Sequence, residues 1–300
     1  MNTESRMPHL RIWLILSLLF IFGCTQKLRD PYIETDSVRW YDDYFTVEYI
    51  DSQTIAIGEP RYHQQNYSYL ILGNKRALLF DTGPGIRNIR PVVESLTDLP
   101  VTITQSHFHY DHVGGHRNFD GAIVADLPAL RERANSGRLS INSEEHLGFV
   151  ENIGKPDIVI KEWWPLNSAI ELGGRSLKIV HAPGHTKESI VLVDEARGFL
   201  FTGDFLCPGP NIGFLLPGLS LDDYLATTHR LLAMSTPETR LLTAHRDEAS
   251  VKFGAPVLAY EDLTDFEGLL EKLIDGTKER KGPYIKTYKV NDRIEFVVNR

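Results

Sequence analysis

One apolar segment after another in this chain ends in a residue with ligand chemistry, and that repeated pattern restricts the fold more than any other feature. The β-branched run Val101-Thr102-Ile103-Thr104 leads into His107-Phe108-His109-Tyr110-Asp111-His112, and Gly114-Gly115 turn the chain beyond it. His185 lies in His181-Ala182-Pro183-Gly184-His185-Thr186, Asp204 closes Phe199-Leu200-Phe201-Thr202-Gly203-Asp204, and His245 closes Leu241-Leu242-Thr243-Ala244-His245. Strands that each end in a ligand set those ligands along one edge of a sheet, so residues far apart in sequence reach a common site.

The spacing within the histidine run has a chemical consequence. In an extended or turning segment, side chains two apart point the same way, so His107 and His109 can grip one cation together. Asp111 and His112 lie past the bend and face a second. Imidazole nitrogens and carboxylate oxygens suit zinc, iron and manganese, and a complete site needs the further ligands that His185, Asp204 and His245 offer. Of the eleven histidines, His9, His63, His116, His146, His181 and His229 have no comparable context and read as structural. No Gly-x-Ser-x-Gly run points to a serine nucleophile.

Taken in order, Asp81-Thr82-Gly83, His107-x-His109-x-Asp111-His112, His185, Asp204 and His245 resemble the signature of the metallo-β-lactamase superfamily. The resemblance runs from about Asp81 to His245, with flanking strands extending it. It implies an α+β fold, a four-layer αββα sandwich with the site at one edge between two sheets. It also implies one metal held by His107, His109 and His185, a second by Asp111, His112 and His245, and Asp204 bridging them. In the family, Asp81 orients the ligand loop.

Two divalent metal ions, Zn2+ first and Fe or Mn as alternatives, would then lie roughly 3.5–4 Å apart and share a hydroxide able to attack an acyl carbonyl. Asp111 would hold that nucleophile and shuttle its proton. The bridging Asp204 resembles glyoxalase II, lactonase and thioesterase-like members more than the true β-lactamases. The expected activity is therefore hydrolysis of a thioester, lactone or related ester, with a small-molecule acyl substrate. A periplasmic β-lactam hydrolase, an iron-dependent persulfide dioxygenase-like oxidoreductase and a metal-dependent binding lipoprotein are the alternatives.

The amino terminus sets the expected compartment. Arg6 and Arg11 precede an apolar stretch from Ile12 to Phe22 that is short for a membrane span and suited to a signal-peptide core. Ile21-Phe22-Gly23-Cys24 resembles a bacterial lipobox with Cys24 as the acylated residue, although Phe22 is bulkier than that pattern usually carries. The expectation is a signal peptide over 1–23, a polar tether over 24–36, a hydrolase domain over 37–300, and a lipid-anchored protein facing the periplasm, the outer membrane weakly favoured. If Cys24 is acylated, Cys207 has no partner, so no disulfide is expected. The formal net charge of -8 and the absence of a Lys/Arg cluster argue against a nucleic-acid partner. Oligomeric state is left open.

Strands are expected over 45–50, 54–57, 67–72, 76–80, 177–180, 190–193 and 199–202, with helices over 90–96 and from Ser220 to about Leu232. Leu263, Phe266, Leu269, Leu270, Leu273 and Ile274 follow helical spacing and mark an amphipathic helix, and a hairpin over 285–298 turns at Asn291-Asp292. Residues 127–153, rich in helix formers, should cover one side of the site. The apolar, Pro- and Gly-rich loop over 205–219 reads equally as a wall of the cleft or a buried connector. As a wall, it and the next helix would bring Phe205, Leu206, Phe214, Leu215 and Tyr224 to the substrate. Trp163 and Trp164 fit core packing better than that wall.

Overall fold

The computed structural model describes residues 35–212, 220–247, 254–278 and 285–299. Cys24, the signal segment, the tether as far as residue 34, and Phe214 and Leu215 lie outside the described residues. The described residues form one compact unit, and no helix among them is long and apolar enough to cross a membrane.

Among these residues, one sheet of ten strands begins with antiparallel neighbours from Val38–Trp40 to Ala77–Phe80. It continues through Val101–Thr104, Ala122–Ala125 and Ile158–Trp164. A second sheet of six strands runs in the order Ala169–Glu171, Ser176–His181, Ile190–Asp194, Phe199–Gly203, Arg240–Thr243, Val257–Ala259. The central strands of the second sheet, Ile190–Asp194 and Phe199–Gly203, are nearly continuous in apolar residues because both faces are covered. Leu177, Ile179, Ile190, Leu192, Phe199, Phe201 and Leu242 join the first sheet's side chains in one core. Their neighbours Val180, Val191, Val193, Leu200 and Leu241 pack with Leu231, Leu263, Phe266 and Leu270 from helices Leu221–Ala233 and Tyr260–Ile274. Helix Arg90–Leu96 adds Val92 and Val93 to the first core. The result is the four-layer αββα sandwich.

Helix Leu221–Ala233 starts where expected, with Ser220 Oγ accepting the Asp223 amide at 3.1 Å. The apolar stripe of helix Tyr260–Ile274 is buried except at its end, where Ile274 is exposed. The stretch over 127–153 is less helical than expected. It forms short helices Pro128–Arg133 and Ser143–His146 separated by a two-residue-stranded hairpin, because Ser136 and Gly137 both take positive φ and turn the chain back. Trp163 and Trp164 pack against the core beneath Arg131 and Arg76, at 4.2 Å and 5.8 Å from their ring centres. Cys207 is buried and free.

Strand direction explains where the ligands gather. Ala77–Phe80 and Val101–Thr104 are parallel, as are Phe199–Gly203 and Arg240–Thr243, so the segments that follow each pair emerge at the same edge. The two sheets meet there: the Ile190 amide donates to Ser106 O, the Tyr67 amide to Ala244 O, and Asn66 bridges to His245.

Candidate metal centre

The Asp81 turn sets the histidine run in place. Asp81 has φ 62, a conformation that residues other than glycine adopt rarely, and its carboxylate uses both oxygens. Oδ1 accepts the Ser106 amide at 2.6 Å, and Oδ2 accepts the Ser106 hydroxyl at 2.9 Å and faces His112 Nδ1 at 2.9 Å. Thr82 holds the His112 carbonyl through its amide and hydroxyl. Ser106 Oγ also lies 2.9 Å from His107 Nδ1. With these Nδ1 atoms engaged, the Nε2 atoms of His107 and His112 are left for the centre.

The predicted ligands converge in two groups. His107 Nε2 lies 2.8 Å from His109 Nδ1, which lies 3.1 Å from His185 Nε2. His112 Nε2 and His245 Nε2 are 3.3 Å apart, and Asp111 Oδ2 lies 3.4 Å from the first and 3.3 Å from the second. Asp204 stands between the groups. Its Oδ2 faces His185 Nε2 at 3.6 Å and His107 Nε2 at 4.0 Å, while its Oδ1 faces His112 Nε2 at 3.3 Å and His245 Nε2 at 3.1 Å.

The donor set fits cations. His107, His109, His185 and Asp204 form one cluster of potential ligand atoms, and Asp111, His112 and His245 another, each with its atoms within 4.8 Å of one another. Nitrogens that face nitrogens cannot all be satisfied by protons, and the buried Asp204 Oδ1 makes no well-directed hydrogen bond. Cations between these atoms would resolve both deficits.

Electrostatics differ between the groups. Burial, with mutual repulsion among the imidazoles, pushes His107 far down, His109 to about 3 and His185 to about 4, leaving neutral rings with lone pairs for a metal. Burial also opposes charge on His112 and His245. There the carboxylates outweigh it, Asp204 foremost, holding His112 high and raising His245 to about 10. Asp111 and Asp204 stay well below the usual carboxylate range, against their burial, because these histidines face them. A metal in the second group therefore displaces protons as it binds.

Several supporting residues carry no sequence signal of their own. Asn66 Nδ2 donates to Asp111 O at 2.8 Å and Oδ2 at 3.3 Å, and Gln64 O faces His245 Nδ1 at 3.1 Å. His116, read from sequence as structural, is buried between Thr82 Oγ1 at 2.9 Å and Gln105 Oε1 at 3.1 Å, behind the Asp81 turn. Tyr110 and Tyr62 share Glu151 and Gln64, which ties the segment after helix Ser143–His146 to the ligand loop. Glu59 is buried against the same turn, where a β-carbon at Gly83 would strike its carboxylate.

The expected substrate wall needs correction. Phe205, Leu206 and Tyr224 are fully buried; Phe205 meets Phe266 edge-on, and Tyr224 meets both Phe266 and Phe296 edge-on, in the second core. They form a connector under the site rather than a surface a substrate touches, because the C-terminal helix and hairpin offer them apolar partners. Tyr224 does press on the ligand loop from below, since a β-carbon at Gly184 would meet its ring.

The family model described as the metallo-beta-lactamase superfamily matches residues 61–245. Human acyl-coenzyme A thioesterase MBLAC2 is 28% identical over 191 residues, covering 55% of this chain and 67% of that protein. A hydroxyacylglutathione hydrolase from Synechococcus sp. (strain JA-2-3B'a(2-13)) is 30% identical over 152 residues, 49% of this chain and 51% of that protein. Among solved structures, a metallo-beta-lactamase from Pontibacter korlensis superposes with a TM-score of 0.53 at 18% identity, covering 76% of this chain and 99% of that one, a likeness of fold. The chain belongs to the metallo-β-lactamase superfamily. It is an enzyme of the hydrolase class, with a His/Asp cluster suited to divalent metal.

Proposed function

We propose that the protein is a dinuclear hydrolase of thioesters, lactones or related esters, with zinc in both metal positions. The observation that carries this reading is the placement of Asp204, whose two oxygens each face a different ligand group. Its similarity to a thioesterase and to a hydroxyacylglutathione hydrolase supports the choice of an acyl substrate. His107, His109 and His185 would hold one ion, Asp111, His112 and His245 the other, and Asp204 both. When bound, such ions supply Lewis acidity toward an acyl oxygen and acidify water to near-neutral pKa.

The chain's own groups do the rest. The Asp81–Ser106 pair fixes the rings of His107 and His112, and Asn66 fixes the Asp111 carboxylate. Asp111, kept ionised by His112 and His245, is placed to accept a proton from attacking water and pass it to the leaving group.

The test is turnover of a panel of thioesters, lactones, β-lactams and phosphodiesters by purified protein of measured metal content, with and without chelator. Chelator-sensitive cleavage of thioesters or lactones with zinc near two per chain is the expected result. Cleavage confined to β-lactams, or activity that requires iron and oxygen, overturns it. For location we propose a lipid anchor at Cys24, on the strength of the sequence pattern alone; Cys24→Ser should move the protein from the membrane fraction to the soluble one, and an unchanged distribution rejects the anchor.

A further inference from the structure

Between helix Ser143–His146 and the turn that follows it lies a cavity of about 290 Å³ lined by Ser143, His146, Gly148, Phe149, Ile153 and Lys155 among others. His146 is only 1% exposed, yet its Nε2 has no hydrogen-bond partner. A buried ring nitrogen left unpaired is costly, so its retention calls for a partner from outside the chain. Gly148 leaves room for the ring, since a β-carbon there would collide with it.

The charge around the ring favours an anion. Burial, reinforced by the positive charges of Lys155 and Arg117, pushes His146 down to about 4, so that the neutral ring presents one N–H. Lys155 is exposed and makes no hydrogen bond or ion pair among the described residues. The carboxylates of the same segment are engaged elsewhere: Glu145 pairs with Arg133, and Glu151 with Tyr62, Tyr110 and His63. Asp111 is the one acidic group whose charge reaches the ring, and it belongs to the metal centre.

One ring contact links the cavity to the ligand loop. The His146 ring centre lies 6.3 Å from that of Tyr110, which sits in the chain between the ligands His109 and Asp111. Phe149, 63% exposed, gives the cavity an apolar lip on which a flat ring can lie.

The geometry points to an anion subsite in this cavity, in which Lys155 and His146 bind a phosphate of the substrate's leaving group, a thiol carrier of the phosphorylated nucleotide type. This rests on the thioester reading above and sharpens it, by assigning the cavity to the carrier rather than to the acyl chain.

The test uses the full metal-loaded protein and two thioesters with the same acyl group, one on coenzyme A and one on phosphate-free N-acetylcysteamine. Lys155→Glu and His146→Phe should each raise KM for the phosphorylated substrate about tenfold relative to the other, with kcat moving far less. Equal effects on the two substrates, or none, overturn the subsite. Calorimetric titration with adenosine 3′,5′-bisphosphate gives a readout independent of turnover: the wild type should bind it and Lys155→Glu should not. Unaltered bisphosphate binding in the variant overturns the proposal. Inorganic phosphate binding as tightly as the bisphosphate overturns the carrier assignment. If neither thioester is cleaved, the thioester reading falls, while bisphosphate binding lost in Lys155→Glu still upholds the subsite.

Discussion

The protein buries charge at two opposite edges of its sandwich, and the two clusters are built on contrary principles. Arg175 and Asp194 lie where strand Thr54–Gly58 begins; the ligand cluster lies where that strand ends, beyond Glu59. At the first edge Arg175 Nε donates to Asp194 Oδ2 at 2.8 Å, and its other nitrogens donate to Thr54 Oγ1, Gln53 O and Leu72 O, so one guanidinium laces both sheets together. Both side chains are 0% exposed, and donors meet acceptors, with Asp194 Oδ1 alone unpartnered. At the second edge, the neutral rings of His107, His109 and His185 meet nitrogen to nitrogen while His112 and His245 crowd against Asp111 and Asp204, an array that bound cations would complete. One cluster stabilises the fold; the other is held by the fold in an arrangement that serves chemistry.

The sharpest way to break this comparison is to remove one carboxylate oxygen from each cluster. Asp204→Asn should lower kcat/KM on whichever ester the protein cleaves by about 10³-fold or more, since under the proposed dinuclear reading a lost metal contact would be worth several kcal/mol in the transition state. The same substitution should leave the thermal unfolding of chelator-treated protein unchanged or raise it. Asp194→Asn should do the reverse, with kcat per folded molecule intact. Comparable kinetic losses in both variants would erase the distinction.

Next in size is the effect of Arg175→Met. Removing one member of a buried ion pair leaves the other unpaired and costs about 3–5 kcal/mol. Denaturant unfolding followed by circular dichroism reads this directly. A loss under about 1 kcal/mol, the range of an exposed pair, would show that the junction contributes little to joining the sheets.

How far each cluster was legible in the sequence follows from the same contrast. The ligands stood out because each ends an apolar run, and strand direction then carries all of them to one edge. The four-layer fold came with that pattern through the family likeness. Arg175 gave no comparable sign, since nothing in Gly173-Gly174-Arg175 says that a guanidinium will be buried between sheets. Asn66, Ser106 and Glu59 were equally silent: each is a single polar residue whose role depends on a partner distant in sequence. The misreading of Phe205, Leu206 and Tyr224 has a related cause. An apolar loop after a ligand fits a cleft wall and a core connector alike, and Phe266 and Phe296, contributed by the last helix and hairpin, decide between them.

Glu59 tests whether the site edge carries a stability cost of its own. Burial raises this carboxyl to about 8, with Asp111 adding to the effect and the Tyr44 hydroxyl beside it working the other way. The folded protein then holds a proton that the unfolded chain releases near the ordinary value of 4.5. Its contribution to stability is full below that value and is lost as pH rises through about 8. Glu59→Gln, which mimics the neutral acid, should therefore match wild-type stability near pH 4 and exceed it by a few kcal/mol above pH 8. Parallel stability curves for the two proteins across that range would show that Glu59 ionises freely in place.

The smallest effect should come from Ser106→Ala, and it separates positioning from ligation. Ser106 Oγ touches no candidate metal position directly; it lies between Asp81 Oδ2 at 2.9 Å and His107 Nδ1 at 2.9 Å. Its loss leaves all seven candidate ligands present but frees the His107 ring to rotate, and outer partners of this kind typically contribute 10–100-fold to metal affinity or activity. The main-chain amide of Ser106 still holds Asp81 Oδ1 in the variant, so the turn itself stays in place. The expected outcome is weaker binding of one metal equivalent, read by competition with a chelator, and turnover largely restored at saturating metal. A loss that excess metal does not restore would mean that the hydroxyl takes part in the reaction itself.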